Sequence, residues 1–198
     1  EWYVSTNIKR DYMKKVLQGQ LEVALENYKK VNEFLGDLID IVYVSGTDFG
    51  TQQGLFISPE TYKDLYKPYH RKVNDWIHLN TKWKCFMHCC GAVYDMIPDF
   101  IEAGFDILNP VQISASGMIP KKLKKEFGKH LTFWGGGVDT QKVLAFGSPK
   151  EVKEQVEEMI SIFSPGGGFI FSAVHNIQKN VPLENLITLI DTLNKFRN

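Results

Sequence analysis

The stretch IDIVYVSGTDFGTQ, residues 39–52, contains the pattern that decides the fold. Its first half, Ile39 to Ser45, is a short and nearly unbroken apolar run rich in β-branched residues. Such a run is typical of a strand that is covered on both faces of a parallel sheet. Its second half, Gly46 to Gln52, is polar and contains two glycines, as expected for a loop. The stretch therefore predicts a buried strand that ends in a polar loop.

The same strand-and-loop pattern recurs down the chain, with amphipathic helical segments between the strands. Four further strands are predicted at Trp83–His88, Phe105–Asn109, Leu131–Trp134 and Phe169–Ala173. Helices are predicted over residues 11–35, 58–80, 93–103, 120–127, 149–163 and 182–196. Strands that alternate with helices at this spacing predict an α/β fold with a parallel sheet, either doubly wound or closed into a barrel.

Composition favours a single domain that spans residues 1–198. The chain is 43% hydrophobic and 13% aromatic, which is enough for one packed core and too little for two. Lys+Arg and Asp+Glu both number 23, so nucleic acid and anionic membrane are not expected as partners. The apolar runs are too short for a bilayer and no signal peptide is visible, so we expect a soluble, cytoplasmic protein.

Every predicted strand is followed by a loop that is rich in glycine or polar side chains. In parallel α/β folds, ligands bind at the carboxyl ends of the strands, so these loops are the predicted site. The loop residues are Asp48 and Gln52, His88 and Cys90, Asn109 and Gln112, 135–141, and 175–178.

The segment after the second strand combines a histidine with two cysteines. Side chains two apart in a strand point to the same side, so His88 and Cys90 are expected to converge while Cys85 and Cys89 face away. Three cysteines within six residues favour reduced thiols or a metal site over a disulfide framework. An isolated His-x-Cys pair is also compatible with a hydrogen-bonded core histidine and ordinary buried thiols.

Imidazole and thiolate together form a zinc-type ligand set, and a catalytic zinc needs three protein ligands and one open position. His88 and Cys90 supply two of them. We expect His175, at the end of the fifth strand, to be the third ligand, with Asp48 as the other possibility.

Several segments together resemble the uroporphyrinogen decarboxylase superfamily, and within it the corrinoid-dependent methyltransferases. The resemblance covers nearly the whole chain from about Ile39. The matching segments are TDFGTQQGLFISP (47–59), His88-x-Cys90-Gly91, DILNPVQ (106–112), FWGGGVDTQ (133–141) and Pro182-x-Glu184-Asn185.

This resemblance implies a TIM barrel in which zinc activates a methyl donor or acceptor. The methyl group passes to or from the cobalt of a corrinoid carried by a separate protein. His88 and Cys90 match the zinc pair of that branch. Many of its members have a third cysteine where this chain has His175, which matches a histidine of the decarboxylases. Asp48 lies about where the decarboxylases have a catalytic serine.

The strand count is lower than the resemblance implies, because family barrels have eight strands and this sequence predicts five. The chain therefore resembles strands four to eight of a TIM (β/α)8-barrel. An open barrel exposes two sheet edges and part of its core, which favours association. We expect the missing N-terminal barrel half, from the same or another chain, or self-association to cover them.

Three functions remain open from sequence. The first is a zinc-dependent methyltransferase that acts on a small methylated substrate or a thiol. The second is a cofactor-free decarboxylase with Asp48 and His175 as catalytic groups, and the third is a non-catalytic assembly unit. Some candidate substrate-binding residues could equally be core, turn or helix-cap residues. The candidates are Phe49, Gln52, Asn109, Gln112, Trp134, Gly136, Asp139 and Gln141.

Overall fold

A computed structural model describes residues 1–197 and contains a sheet of five parallel strands. The strands are β1 Ile41–Ser45, β2 Lys84–His88, β3 Ile107–Asn109, β4 Thr132–Trp134 and β5 Phe169–Ile170. Their order in the sheet is the order along the chain, and each neighbouring pair is parallel. A doubly wound sheet would reverse its order at a switch point, whereas a barrel does not. The topology is therefore that of a partial TIM barrel.

Helices connect the strands, as the alternating pattern predicted. They are α1 Trp2–Ile8, α2 Arg10–Leu35, α3 Pro59–Leu65, α4 Lys67–Asn80, α5 Ile97–Glu102, α6 Pro120–Phe127, α7 Val143–Phe146, α8 Pro149–Phe163 and α9 Leu183–Asn194. Two short 3-10 turns, Gly36–Leu38 and Tyr94–Met96, follow α2 and precede α5. None of the helices within residues 1–197 is both long enough and apolar enough to cross a bilayer.

The predicted helix over residues 58–80 is divided in two. Ser58 caps α3 as predicted, because its hydroxyl accepts a hydrogen bond from the Thr61 N–H at 3.2 Å. Pro68 lies in the first turn of α4. Its ring has no N–H and collides with the carbonyl four residues earlier, so the first helix ends before it and a second begins. Helices α1 and α7 were not predicted from the sequence.

The fifth strand is shorter than predicted, ending at Ile170 rather than Ala173. The chain beyond it still runs beside the segment after β4, since the Gly137 N–H donates to the Ser172 carbonyl and the Val174 N–H to the Val138 carbonyl. Gly135 and Gly136 have φ of 120° and 72°, which no regular strand adopts. The pairing therefore continues without the regular strand geometry.

The two faces of the sheet differ in what covers them. Cys85, Met87 and Phe133 are fully buried in the core beneath the helices. On the opposite face, Tyr43 is 59% exposed and stacks on Phe86, with ring centroids 5.5 Å apart. In a TIM barrel the helices lie outside and the strands enclose the interior. The open face is therefore the face that a complete barrel encloses.

Candidate metal centre

Three ligand-type side chains converge at the carboxyl ends of β1 and β2. One ligand atom each of Asp48, His88 and Cys90 lies within 4.8 Å of the other two. The Nε2 atom of His88 is 3.4 Å from the Cys90 sulfur and 3.9 Å from Asp48 Oδ1. His88 and Cys90 share a side as the strand period predicted, whereas Cys85 and Cys89 are buried. All three members of the cluster are partly exposed.

Backbone contacts hold the two loops of the cluster together. The Cys90 N–H donates to Asp48 Oδ1 at 2.7 Å, and the Ala92 N–H donates to the Thr51 carbonyl at 2.7 Å. Gly91 has a φ of +92°, and a Cβ there would lie 2.4 Å from the carbonyl carbon of Gly50. The close approach of the two loops therefore requires glycine after Cys90.

Side-chain amides support the cluster from the next two loops. Asn109 Oδ1 is 2.7 Å from His88 Nδ1, and its Nδ2 donates to the Trp134 carbonyl at 2.9 Å. Gln112 accepts from the Gly91 N–H at 2.8 Å and donates to Gln52 Oε1 at 2.7 Å. In this arrangement the polar atoms of Asn109 and Gln112 bind protein atoms around the cluster.

The protonation state of Cys90 depends on its surroundings. Burial, together with the carboxylate of Asp48, raises the pKa of the Cys90 thiol to about 12. The group is therefore a neutral thiol near pH 7 in the absence of a cation. A metal ion reverses this balance, because a coordinating thiol is deprotonated.

The donor atoms fit a zinc ion in both kind and spacing. Zinc is bound by imidazole nitrogen, thiolate sulfur and carboxylate oxygen, at bond lengths of about 2.0–2.3 Å. Tetrahedral bonds of that length place donor atoms about 3.3–3.8 Å apart. The observed separations from His88 Nε2, 3.4 Å to Cys90 and 3.9 Å to Asp48, are close to that range. Three ligands leave one position for a substrate atom.

His175 lies apart from this cluster. It is exposed, and it lines a separate cavity with Thr140, Gln141 and Phe146. Among residues 1–197, the third ligand-type side chain within 4.8 Å of His88 and Cys90 is Asp48, the other possibility named from the sequence.

The aromatic and glycine candidates lie in three different surroundings. Phe49 is fully buried and meets Tyr62 and Tyr66 edge-on, so it is part of the core under the helices. Trp134 lies on the open face and meets Phe86 edge-on, with centroids 5.3 Å apart. Gly136 has a φ of +72°, and a Cβ there would lie 3.0 Å from the side chain of Val111.

The two polar candidates after β4 contact protein atoms, one in its own loop and the other in the loop after β3. Asp139 is 6% exposed, and its Oδ1 accepts from the Gln141 N–H at 2.7 Å and the Lys142 N–H at 3.3 Å. The Gln141 side chain accepts from the Ser114 hydroxyl at 3.5 Å. Asp139 therefore stabilises the turn that precedes α7.

Two residues near the cluster, Tyr43 and Phe86, were not predicted from the sequence. The Tyr43 ring lies 6.5 Å from the His88 ring between centroids, and Phe86 packs between Tyr43 and Trp134. The signal for Phe86 was present, because it precedes His88 by two positions in the same strand. The signal for Tyr43 was its register opposite Phe86, which the sequence alone does not give.

The chain was compared with known families, sequences and structures. The model of the family Uroporphyrinogen decarboxylase (URO-D) matches residues 9–196. No curated protein matches the sequence. Among solved structures, the fold is similar to a methyltransferase from Methanosarcina mazei, with a TM-score of 0.71 and 20% identity. That match covers 98% of this chain and 52% of the neighbour, so the chain spans about half the length of that protein. Because the family model matches nearly all of its residues, the chain belongs to the uroporphyrinogen decarboxylase family.

Proposed function

We propose that the chain contributes the metal centre of a zinc-dependent methyltransferase. The observation that carries this proposal is the convergence of Asp48, His88 and Cys90 within 4.8 Å at the carboxyl ends of the strands. Ligand sites of TIM-barrel enzymes lie at that end. The fold similarity to a methyltransferase of Methanosarcina mazei supports the same class of reaction.

The three side chains have separate parts in this proposal. His88 offers a neutral nitrogen, while Asp48 and the deprotonated Cys90 offer one negative charge each, which together offset a divalent cation. A zinc ion held by these three side chains would supply Lewis acidity to the sulfur or oxygen atom that carries or receives the methyl group. Cys90 would bind it as a thiolate and release its proton to solvent. The ring of Tyr43 lies beside His88, with ring centroids 6.5 Å apart.

In this proposal the methyl group passes between a small molecule and a corrinoid protein, in one direction or the other. This part rests on the resemblance to the corrinoid-dependent branch of the family. The open face of the sheet leaves the cluster accessible, since the side chains of Asp48 and His88 are 45% and 30% exposed.

A further part of the proposal is that an N-terminal barrel half completes the site. The neighbour is about twice as long as this chain, and β1 and β5 each pair on one edge only within residues 1–197. A groove beside β5 is lined by apolar side chains of that strand, of the segment after it and of α9, including Phe169, Phe171 and Ile190. A second barrel half would bury this groove and pair the exposed edges.

The competing function is a cofactor-free decarboxylase, which the name of the matching family favours. In that case Asp48 and His175 would act as polar catalytic groups without metal. The geometry supports it less, because His175 lies outside the cluster that contains Asp48.

Elemental analysis of the purified chain after zinc loading and desalting tests the proposal. We expect about one zinc per chain, and its loss in Asp48→Asn, His88→Ala and Cys90→Ser. His175→Ala is the matched control and should keep the metal. Zinc retained in all three cluster variants, or lost in His175→Ala, would contradict the assignment. A chain that binds no zinc but decarboxylates a porphyrinogen when combined with the N-terminal half would favour the competing function.

A further inference from the structure

Both polar atoms of the Asn109 side-chain amide form hydrogen bonds, and their partners determine which atom faces His88. One end lies 2.9 Å from the Trp134 carbonyl oxygen, which can only accept a hydrogen bond. That end must therefore be the NH2 group. The other end, 2.7 Å from His88 Nδ1, is then the carbonyl oxygen, which is itself only an acceptor.

The orientation of this amide determines where the proton of His88 lies. Because Asn109 Oδ1 can only accept, Nδ1 of the neutral imidazole must carry the hydrogen. The other ring nitrogen, Nε2, is then unprotonated. It is the Nε2 atom that lies 3.4 Å from the Cys90 sulfur and 3.9 Å from Asp48 Oδ1. A lone pair therefore faces the centre of the cluster.

The hydrogen bonds from Trp134 through Asn109 to His88 connect three neighbouring strands. His88 ends β2, and its Cα partner across the ladder is Asn109 at the end of β3. Trp134 ends β4, the next strand in the sheet. An aspartate at position 109 would place a carboxylate oxygen against the Trp134 carbonyl, and a leucine would leave Nδ1 and that carbonyl without partners. An amide satisfies both neighbours at once.

We propose that Asn109 is a positioning residue: it holds His88 as the Nδ1–H tautomer and directs Nε2 to the point shared by Cys90 and Asp48. This assigns Asn109 a role different from the substrate contact expected from sequence. The consequence for metal binding rests on the proposed function, whereas the tautomer does not. Loss of an outer partner of a metal-bound histidine typically weakens metal binding by about 10- to 100-fold.

Two readouts test the proposal on the full chain. Long-range proton–nitrogen spectra of the zinc-free protein, recorded where the ring is neutral, report which nitrogen carries the hydrogen. The signals of His88 are assigned with His88→Gln, because the chain has five histidines. We expect the Nδ1–H form in the unmodified chain and a large fraction of Nε2–H in Asn109→Leu. Competition with a chromophoric chelator should show zinc binding about 10- to 100-fold weaker in that variant.

Two further variants separate positioning from simple stability. Asn109→Asp keeps an acceptor for Nδ1 and should keep the Nδ1–H form. Asn185→Leu removes a different amide, which is fully buried and donates to the carbonyls of Leu144 and Gly147 at 3.0 and 2.9 Å. It should lower stability and leave the spectrum of His88 and the zinc affinity unchanged. If Asn109→Leu does not fold, Asn109→Ser is measured in its place.

The outcomes test the positioning role of Asn109 separately from the zinc-dependent function proposed above. An unmodified chain with His88 in the Nε2–H form overturns the positioning role, as does a leucine variant with unchanged tautomer and zinc affinity. An unmodified chain that binds no zinc overturns the proposed function, while the spectra still decide the tautomer.

Discussion

Residues 1–197 contain two clusters of one histidine, one cysteine and one aspartate, and they lie at opposite ends of β2. The first is Asp48, His88 and Cys90, and the second is His78, Cys85 and Asp106. In each cluster one ligand atom of every residue lies within 4.8 Å of the others. The residue types are therefore the same and both clusters fall within the same distance limit, so the difference lies in what else surrounds them.

In the second cluster the carboxylate is already neutralised and bonded. Asp106 Oδ2 accepts from His78 Nε2 at 2.8 Å and from the Cys85 N–H at 2.7 Å, and the Lys84 ammonium lies 3.6 Å from Oδ1. The Cys85 side chain is fully buried. This cluster connects α4 to the amino ends of the strands, and its cysteine side chain is closed off from solvent.

In the first cluster the carboxylate of Asp48 has fewer hydrogen-bond and ion-pair partners than that of Asp106. Asp48 Oδ1 accepts from the Cys90 N–H at 2.7 Å, and the Nε2 atom of His88, which is unprotonated in the tautomer proposed above, lies 3.9 Å away. The cluster also lies at the end of the sheet where barrels bind ligands. The comparison teaches that ligand types alone do not distinguish the two clusters; they differ in the charge balance around the carboxylate and in the exposure of the cysteine side chain.

The largest difference is expected in zinc affinity. Cys90→Ser should weaken zinc binding by more than about 100-fold, because a direct ligand matters more than an outer partner. Cys85→Ser should leave the affinity unchanged, since its sulfur is buried beside a carboxylate that is already paired. Chelator competition on the two variants measures this. Equal losses in both would remove the distinction between the clusters.

A smaller and opposite difference is expected in stability. Asp106→Asn should lower the free energy of unfolding by about 2 kcal/mol, because hydrogen bonds to a charged group are lost around a partly buried carboxylate. Asp48→Asn should change it by less than about 1 kcal/mol, because that side chain is 45% exposed. Urea denaturation of the zinc-free proteins gives both values. A larger loss for Asp48→Asn would show that the first cluster is also a structural one.

The smallest difference concerns how fast the thiols react. Burial raises the pKa of both Cys85 and Cys90 to about 12, so the thiolate fraction and the alkylation rate should rise about tenfold per pH unit between pH 7 and 9. Cys90 should react first, because it is partly exposed whereas Cys85 is fully buried. Iodoacetamide labelling followed by peptide mass spectrometry measures the order, and zinc should protect Cys90. Faster labelling of Cys85 would contradict the burial difference.

Much of the fold follows from local sequence pattern. The apolar runs with their polar loops predict the five strands that the structure contains, and Ser58 and Pro59 correctly mark the start of a helix. The boundaries are less exact, because Pro68 divides one predicted helix and the positive φ angles of the glycines after β4 end the regular geometry of the last strand, although its pairing continues. The choice between a doubly wound sheet and a barrel required the strand order.

For the candidate site, the sequence by itself determined that His88, the last residue of β2, and Cys90, two positions later, face the same side, because extended side chains alternate with a period of two. The tertiary structure alone decided which residue joins them: Asp48 lies within reach, whereas His175 lies in another cavity. It also decided that Asn109 faces His88 and Trp134 at once. The reason is physical, since distances between neighbouring strands depend on register and loop path, and neither is encoded in the spacing of residues along a single segment.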